Sequence, residues 1–357
     1  MNTYTAKDVT LYVPYYNASR TILRVIEAVY SQTEVPGRVI IINDGSIEPL
    51  PKVTCEVIEH EQNKGLAAAR NTALDHCNTP LIAALDADVI PNTNWLEKML
   101  ECLNSSEAAG VGGCLFEKHR RNMGDRWRSV HMCQNWGKRK IIHPRFIYGA
   151  NTLFITQRLK DAGGYDPVCR TNNEDSTMSD ALYEMNCELI YTPDAICWHL
   201  RRDTSRTILP GYWGWHHAKG VQQGDFDSPE GIIDRIERVN FGIFDYRFHL
   251  DSREGRADFM AIDALIPWVF CILDLNLYHR RNNSPVPDIR GMLNEVIPDK
   301  ELYNLLIEYL PSHQGTHEPE EWHSRYLETF NKCLEKFSWK PECGIKELYW
   351  AIKNEVA

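Results

Sequence analysis

Three short apolar runs constrain this chain most: "VTLYV" (Val9–Val13), "RVIII" (Arg38–Ile42) and "LIAAL" (Leu81–Leu85). None alternates with polar residues, so each needs apolar cover on both faces, which is the condition inside a parallel sheet. The segments between them keep helical spacing. In "SRTILRVIEAVYSQ" the residues Ile22, Leu23, Ile26, Val29 and Tyr30 fall on one side, and in "GLAAARNTALDHC" Leu66, Ala69, Ala73, Leu74 and Cys77 do. "NWLEKMLECL" continues the pattern after the third run. Strands alternating with helices predict an α/β fold with a mainly parallel sheet, which binds ligands beyond the carboxyl ends of its strands.

Polar residues collect at those ends. Val13 runs into "PYYN", Ile42 into "NDGS" and Leu85 into "DAD". In an extended backbone Asp86 and Asp88 would project to one side. Two carboxylates there suit Mg²⁺ or Mn²⁺, which takes few protein ligands and completes its shell with a substrate's phosphates. Taken alone, the pair reads equally as a turn capping backbone N–H groups ahead of a helix. "INDGS" is open to the same two readings: turn chemistry, or Asp44 accepting from a nucleobase with Gly45 permitting close approach. No GxGxxG follows the first strand, which disfavours a dinucleotide dehydrogenase. No Gly-rich phosphate loop stands there either, against a nucleotidyltransferase.

Past Thr204 the pattern turns to helices, so we divide the 357 residues into 1–205 and a mostly helical 206–357. The apolar run "ALIPWVFCIL" (Ala264–Leu273) is too short to span a bilayer and is expected as a buried helix. A net charge of −10 argues against nucleic acid as a partner. Eleven cysteines from Cys55 to Cys343 form no CxxC pair, which favours a reducing compartment over a disulfide framework. The N-terminus lacks the basic flank and apolar core of a signal peptide. A cytoplasmic protein, with contact at a membrane surface left open, is the expectation.

A third cluster is "TNNEDSTMSDALYEMNCELIYTPDAICWHL", with adjacent Glu174 and Asp175, a helical stretch, a strand, and then His199. Adjacent carboxylates can simply complement a helix dipole, and a lone histidine is more often packed than ligating. The combination is more specific. "YVPYYNASRTILRVIEAVYSQ", "VIIINDGS", "NKGLAAARNTAL", "LIAALDADVIPNTNWLEKM", "GANTLFITQRLKDAGGYDP" and "NEDSTMSDALYEMNCELIYTPDAICWH" occur in this order. In them the chain, over roughly Asp8 to Arg206, resembles the glycosyltransferase family 2 enzymes. That resemblance implies the GT-A fold, a Rossmann-like nucleotide-diphospho-sugar transferase architecture.

The resemblance also implies roles. Pro14, Tyr16 and Asp44 match positions that hold the nucleobase, and Arg70 a basic position near the nucleotide. Asp86 matches a group near ribose and metal, Asp88 the direct metal ligand, and His199 a second metal or diphosphate contact. Asp175 matches the catalytic base, Glu174 a neighbour of sugar or acceptor, and Gly149 and Asn151 the strand beside the donor sugar. Where the family usually has two aspartates before Gly-Ser, this chain has Asn43 and Asp44. The implied activity is an inverting, Mn²⁺- or Mg²⁺-dependent transfer from a nucleoside-diphosphate sugar, UDP first, to a glycan, lipid-linked or protein-linked acceptor. The alternative is a non-catalytic GT-A scaffold that binds a nucleotide sugar or a partner transferase.

One segment reverses the sign of the chain. Phe116–Phe146 carries Lys118, Arg120, Arg121, Arg126, Arg128, Lys138, Arg139, Lys140 and Arg145 against Glu117 and Asp125. Such runs are commonly solvated surface. Trp127 and Trp136 within it could stack on sugars, so Arg120, Arg121, Arg126, Trp127 and Arg128 are taken as candidates for guiding an anionic acceptor.

Overall fold

The computed structural model describes residues 3–297, 299–310 and 317–339. The chain forms two compact units, Met1–His119 with Ser129–Arg201, and Arg120–Arg128 with Arg202–Ala357. The ten described cysteines are all free thiols; Cys343 lies outside the described residues.

In the first unit the apolar runs become β1 (Val9–Tyr15), β2 (Arg38–Asn43) and β4 (Leu81–Leu85), with β3 (Glu56–Glu59) between the last two in sequence. β5 (Val89–Pro91), β6 (Gly110–Glu117), β7 (Ile141–Ile142), β8 (Asn151–Ile155) and β9 (Leu189–His199) complete the strands. Their order is β3-β2-β1-β4-β8-β6-β9-β5, with β7 also on β9. The β1–β2, β2–β3, β1–β4 and β6–β9 pairs are parallel. The pairs that β8 makes with β4 and β6, and that β5 and β7 make with β9, are antiparallel. The sheet is therefore mixed, not mainly parallel. Apolar continuity reports burial and carries no information on direction, so β8 could not be seen to enter reversed between β4 and β6.

Strand alternation divides the core in two. Val9, Leu11, Val13, Val39, Ile41, Leu81, Ala83 and Leu85 face one side. There they meet Ile22, Val25, Ile26 and Val29 of α1 (Ile22–Tyr30) and Trp95, Leu96 and Met99 of α3 (Trp95–Asn104). Tyr12, Ile40, Ile42, Ile82 and Ala84 face the other side. They meet Ala67, Ala69, Ala73 and Leu74 of α2 (Leu66–Asp75), Leu159 of α5 (Thr156–Asp161), and Met178 and Leu182 of α6 (Glu174–Glu184). Each large side chain so buried contributes about 1.5–3 kcal/mol. The buried alanines Ala67, Ala69 and Ala73 of α2 let its backbone lie close to the sheet. Helix α4 (Met123–His131) is the stretch by which the chain returns to this unit.

The second unit is helical over its described residues: α7 (Ile208–Gln222), α8 (Pro229–Arg235), a π-helical turn (Ile236–Phe241), α9 (Gly242–Arg253), α10 (Ala257–Asp263), α11 (Ile266–Arg281), α12 (Ile289–Val296), α13 (Lys300–Leu306) and α14 (Glu321–Lys336). Ala257–Arg281 is long and apolar enough to cross a bilayer, with mean hydropathy 1.7, but 83% of its apolar window is buried in the protein. That is the environment of a core helix.

Candidate functional site

β4 ends in a turn, closed by the Val89 N–H donating to the Asp86 carbonyl at 3.0 Å. The backbone is not extended there, and the two aspartates part instead of projecting together. Asp88 goes to β9: β5 pairs Val89 with His199, and Leu200 N–H donates to the Asp88 carbonyl at 2.7 Å. Asp88 Oδ2 then lies 3.2 Å from His199 Nε2. On the other side of the ring, His199 Nδ1 lies 3.1 Å from Glu117 Oε1, because Glu117 is the β6 residue in register with His199. Burial alone would pull the imidazole down, but Asp88 and Glu117 push it up to about 9.

This geometry fits a divalent cation. Two ligands of one octahedral ion at about 2.1 Å stand roughly 3 Å apart along an edge, close to the Asp88–His199 spacing. A carboxylate behind the second ring nitrogen orients the imidazole, as ligand histidines require. Glu117 supplies that group. Sequence reading missed it, although it closes an apolar strand just as the aspartates do. Asp86 is turned to Arg70 instead, with Oδ1 3.4 Å from Nη2. Among the described residues, Asp86, Asp88 and His199 do not gather three ligand atoms within 4.8 Å.

Arg70 corrects an expectation. It is 1% exposed and points inward from α2. Nη1 donates to the Tyr12 hydroxyl at 3.1 Å and the Gly149 carbonyl at 3.0 Å. Nε donates to Glu174 Oε1 at 3.2 Å. One buried guanidinium thus gathers the end of β4, the approach to β8 and the start of α6, and has no face left for a nucleotide.

Glu174 is buried against Arg70, so it is a structural partner and not a contact of sugar or acceptor. Desolvation raises its carboxyl, with the neighbouring Asp175 adding to the rise and Arg70 opposing it. Asp175 is partly exposed. Its Oδ2 accepts the Gly149 N–H at 3.0 Å and its Oδ1 the Ser176 N–H at 2.8 Å. Burial raises it too, against those backbone donors. An oriented, accessible carboxylate of raised pKa is what a general base requires. Gly149 must be glycine for space: a Cβ would stand 2.8 Å from Arg70 Nη2 and 3.3 Å from Asp175 Cβ.

Two further expectations fail on hydrogen bonding. Asp44 is buried, and its carboxylate accepts from His60 Nδ1 (2.6 Å), Lys64 N–H (2.8 Å), Gly65 N–H (2.8 Å) and Asn63 Nδ2 (3.0 Å). Those four donors fill a carboxylate's acceptor sites, so Asp44 fixes the entry to α2 and does not read a base. Asn151 is fully buried, accepting from Trp95 Nε1 at 2.6 Å and donating to Cys114 and Ala195 carbonyls at 3.3 Å. It ties α3 to β6 and β9. Pro14 is buried at the end of β1, while Tyr16 just beyond it is 47% exposed.

The acceptor candidates also divide. Trp127 is fully buried with its indole N–H on Asp263 at 2.9 Å. Arg128 is buried against Asp203 at 3.1 Å, and Arg126 pairs with Asp258 at 2.7 Å. All five belong to the second unit, where Trp127 and Arg128 are core residues. Of the set, Arg120 and Arg121 are exposed.

Residues 10–161 match the family described as "Glycosyl transferase family 2". The chain is 29% identical over 214 residues to a pre-mycofactocin glycosyltransferase of Mycobacterium tuberculosis, covering 56% of this chain and 44% of that protein. It is 26% identical over 212 residues to a poly-beta-1,6-N-acetyl-D-glucosamine synthase of Staphylococcus epidermidis, covering 56% and 50%. The chain spans about half the length of these curated relatives. Among solved structures, S. aureus TarS 1–349 aligns at 13% identity with a TM-score of 0.48, covering 92% of this chain and 91% of that one.

Proposed function

We propose that this glycosyltransferase, whose residues 10–161 make a family 2 domain on a GT-A scaffold, moves a sugar from a nucleoside-diphosphate donor to an acceptor hydroxyl with inversion. One observation carries the reading. Arg70 holds both Asp86 and Glu174, which sets the partly exposed Asp175 beside the strand-end carboxylates.

Asp175 takes the proton of the acceptor hydroxyl as its oxygen bonds to the anomeric carbon and the bond to the diphosphate oxygen breaks. A single displacement inverts that centre. Gly149 and Ser176 N–H groups hold Asp175 in orientation, and Arg70 holds the elements around it. Asp88 and His199 are the residues that would bind Mn²⁺ or Mg²⁺, which when bound neutralises charge on the departing diphosphate. Pro14 and the exposed Tyr16 remain the base-side contacts. UDP is taken first from the family resemblance. The free thiols favour a reducing compartment, and we place the chain in the cytoplasm, able to work at a membrane surface.

The test is release of nucleoside diphosphate from a panel of UDP- and GDP-sugars, in Mn²⁺ and in EDTA, with the product anomer read by NMR. Asp88→Asn and His199→Ala should weaken nucleotide binding in Mn²⁺ far more than in EDTA. Equal binding with and without metal, in wild type and both variants, contradicts the metal assignment. A retained anomer contradicts single displacement. Binding without any turnover supports a non-catalytic scaffold.

A further inference from the structure

Between α4 and β8 lie three aromatic rings that belong to neither core of the first unit. Trp136, Phe146 and Tyr148 touch one another, with centroids 5.3 Å (Trp136–Phe146), 5.6 Å (Trp136–Tyr148) and 4.8 Å (Phe146–Tyr148) apart. All three are half-buried, while Ile147 between two of them is buried in the core with α2 and α6. Trp136 Nε1 donates to the Phe146 carbonyl at 2.8 Å, so the indole is fixed in place. Tyr148 directly precedes Gly149, whose N–H holds Asp175. The Asp175 charge is felt at the Tyr148 hydroxyl, which burial first and Asp175 second push up.

A core cluster of this size would be closed to water, and a solvated loop would not hold three rings in contact. Half-buried rings locked against one another, Trp136 and Tyr148 inclined by 32° with Phe146 edge-on to both, form a platform beside Asp175. Pyranose rings present a face of C–H groups rimmed by hydroxyls, and such faces pack on aromatic surfaces. Exposed Lys138, Arg139, Lys140 and Arg145 flank these rings in sequence, so a phosphate-bearing acceptor is the rival outcome of the test.

We propose that Trp136, Phe146 and Tyr148 form the acceptor subsite, and that the acceptor is a carbohydrate whose ring lies on them with a hydroxyl toward Asp175. The proposal rests on Asp175 as the base, so binding and turnover are read separately. Saturation-transfer NMR with cellobiose, chitobiose, lactose and maltose as probes reports binding without catalysis. At least one should bind the wild type, and Trp136→Leu and Tyr148→Leu should each weaken it about tenfold, the scale of one ring-stacking contact. Tyr148→Phe, which keeps the ring, should stay within about twofold. Should the leucine variant of Trp136 not fold, Trp136→Phe reads the same effect at about threefold through its smaller ring. In transfer assays the leucine variants should raise acceptor KM. Probes that bind wild type and variants equally, or none of which binds, overturn the platform. So does transfer to a polyprenyl phosphate at rates untouched by these changes. If instead Asp175→Asn leaves transfer intact while sugar binding still depends on Trp136, the base assignment has failed and the platform stands.

Discussion

Replacing Arg70 separates two roles that predict opposite measurements. A nucleotide contact would leave the ligand-free protein unchanged and weaken donor binding. The structure gives Arg70 four inward partners, Tyr12, Gly149, Glu174 and Asp86, at 3.0 to 3.4 Å. Arg70→Met preserves much of the stem's packing but strips Glu174 of its buried counter-charge. Removing one partner of a buried pair costs about 3–5 kcal/mol. Glu174 can relieve part of that by taking up a proton, since its carboxyl is already raised, so we expect the lower end, about 3 kcal/mol. For a unit of this size that is a fall of roughly 6–12 °C in Tm. Arg70→Lys keeps a charge but a single ammonium cannot span the fork, and it should fall between wild type and Arg70→Met. The assay is thermal unfolding of the ligand-free protein by circular dichroism, beside donor affinity by calorimetry. A Tm within 2 °C of wild type together with a tenfold loss of donor affinity would refute the buried-keystone argument.

Asp175→Asn nearly preserves shape but removes basicity, so donor affinity should hold while transfer falls by roughly 10² to 10⁴ in kcat. Trp127→Phe removes the N–H that Asp263 accepts and should lower Tm without changing acceptor KM; a raised KM with unchanged Tm would restore Trp127 to the acceptor. The last concerns acid. Glu320 N–H donates to His323 Nδ1, so the proton of His323 sits on Nε2 and points at His279 Nε2, 3.0 Å away, leaving His279 Nδ1–H for Ser284 Oγ. Protonating either ring sets two N–H groups head to head. Burial, then His323, lowers His279 to about 4, and burial lowers His323 against the pull of Glu320. Both are depressed below the unfolded value of 6.5, so their stabilisation is complete above pH 6.5 and is lost as pH falls from there toward 4. Each extra proton bound by the unfolded chain adds about 1.4 kcal/mol per pH unit to the slope. Urea unfolding from pH 7 to 4.5 should show His279→Gln with a slope shallower by about one proton, and parallel slopes would count against the relay.

The strand ends were legible because burial and polarity change abruptly there: Asp88 follows β4 and His199 closes β9, while Asp175 stands in the first turn of α6. What misled was the assumption that a polar residue at such an edge faces ligand. Asp44 faces donors from the loop His60–Gly65, and Asn151 faces a tryptophan of α3 and carbonyls of β6 and β9. Arg70 left a trace: it stands three residues from Ala67 and Ala73, within the stripe that buries α2, and a cation in an apolar stripe implies a buried partner. Trp127 and Arg128 left none. Their partners Asp263 and Asp203 are 136 and 75 positions away, beyond the reach of any local pattern, and the charge run around them suggested surface.

The peptide at Gly149 has a consequence for how such an enzyme could change its acceptor. Its amide, in the peptide unit before it, faces Asp175 and its carbonyl, in the unit after it, faces the buried guanidinium, so a flip of either unit releases one of these bonds. Asp175 is therefore oriented by main-chain N–H groups, which no substitution of a neighbouring side chain alters directly. The half-buried Tyr148 side chain, one residue earlier, packs on Trp136 and Phe146 and enters neither hydrogen bond. Exchanges at 136, 146 and 148 could re-shape what lies on the platform while the distance from Asp175 to the incoming oxygen stays set by the backbone. Laboratory selection for new acceptors should then accumulate changes at these three rings before it touches Gly149 or Arg70.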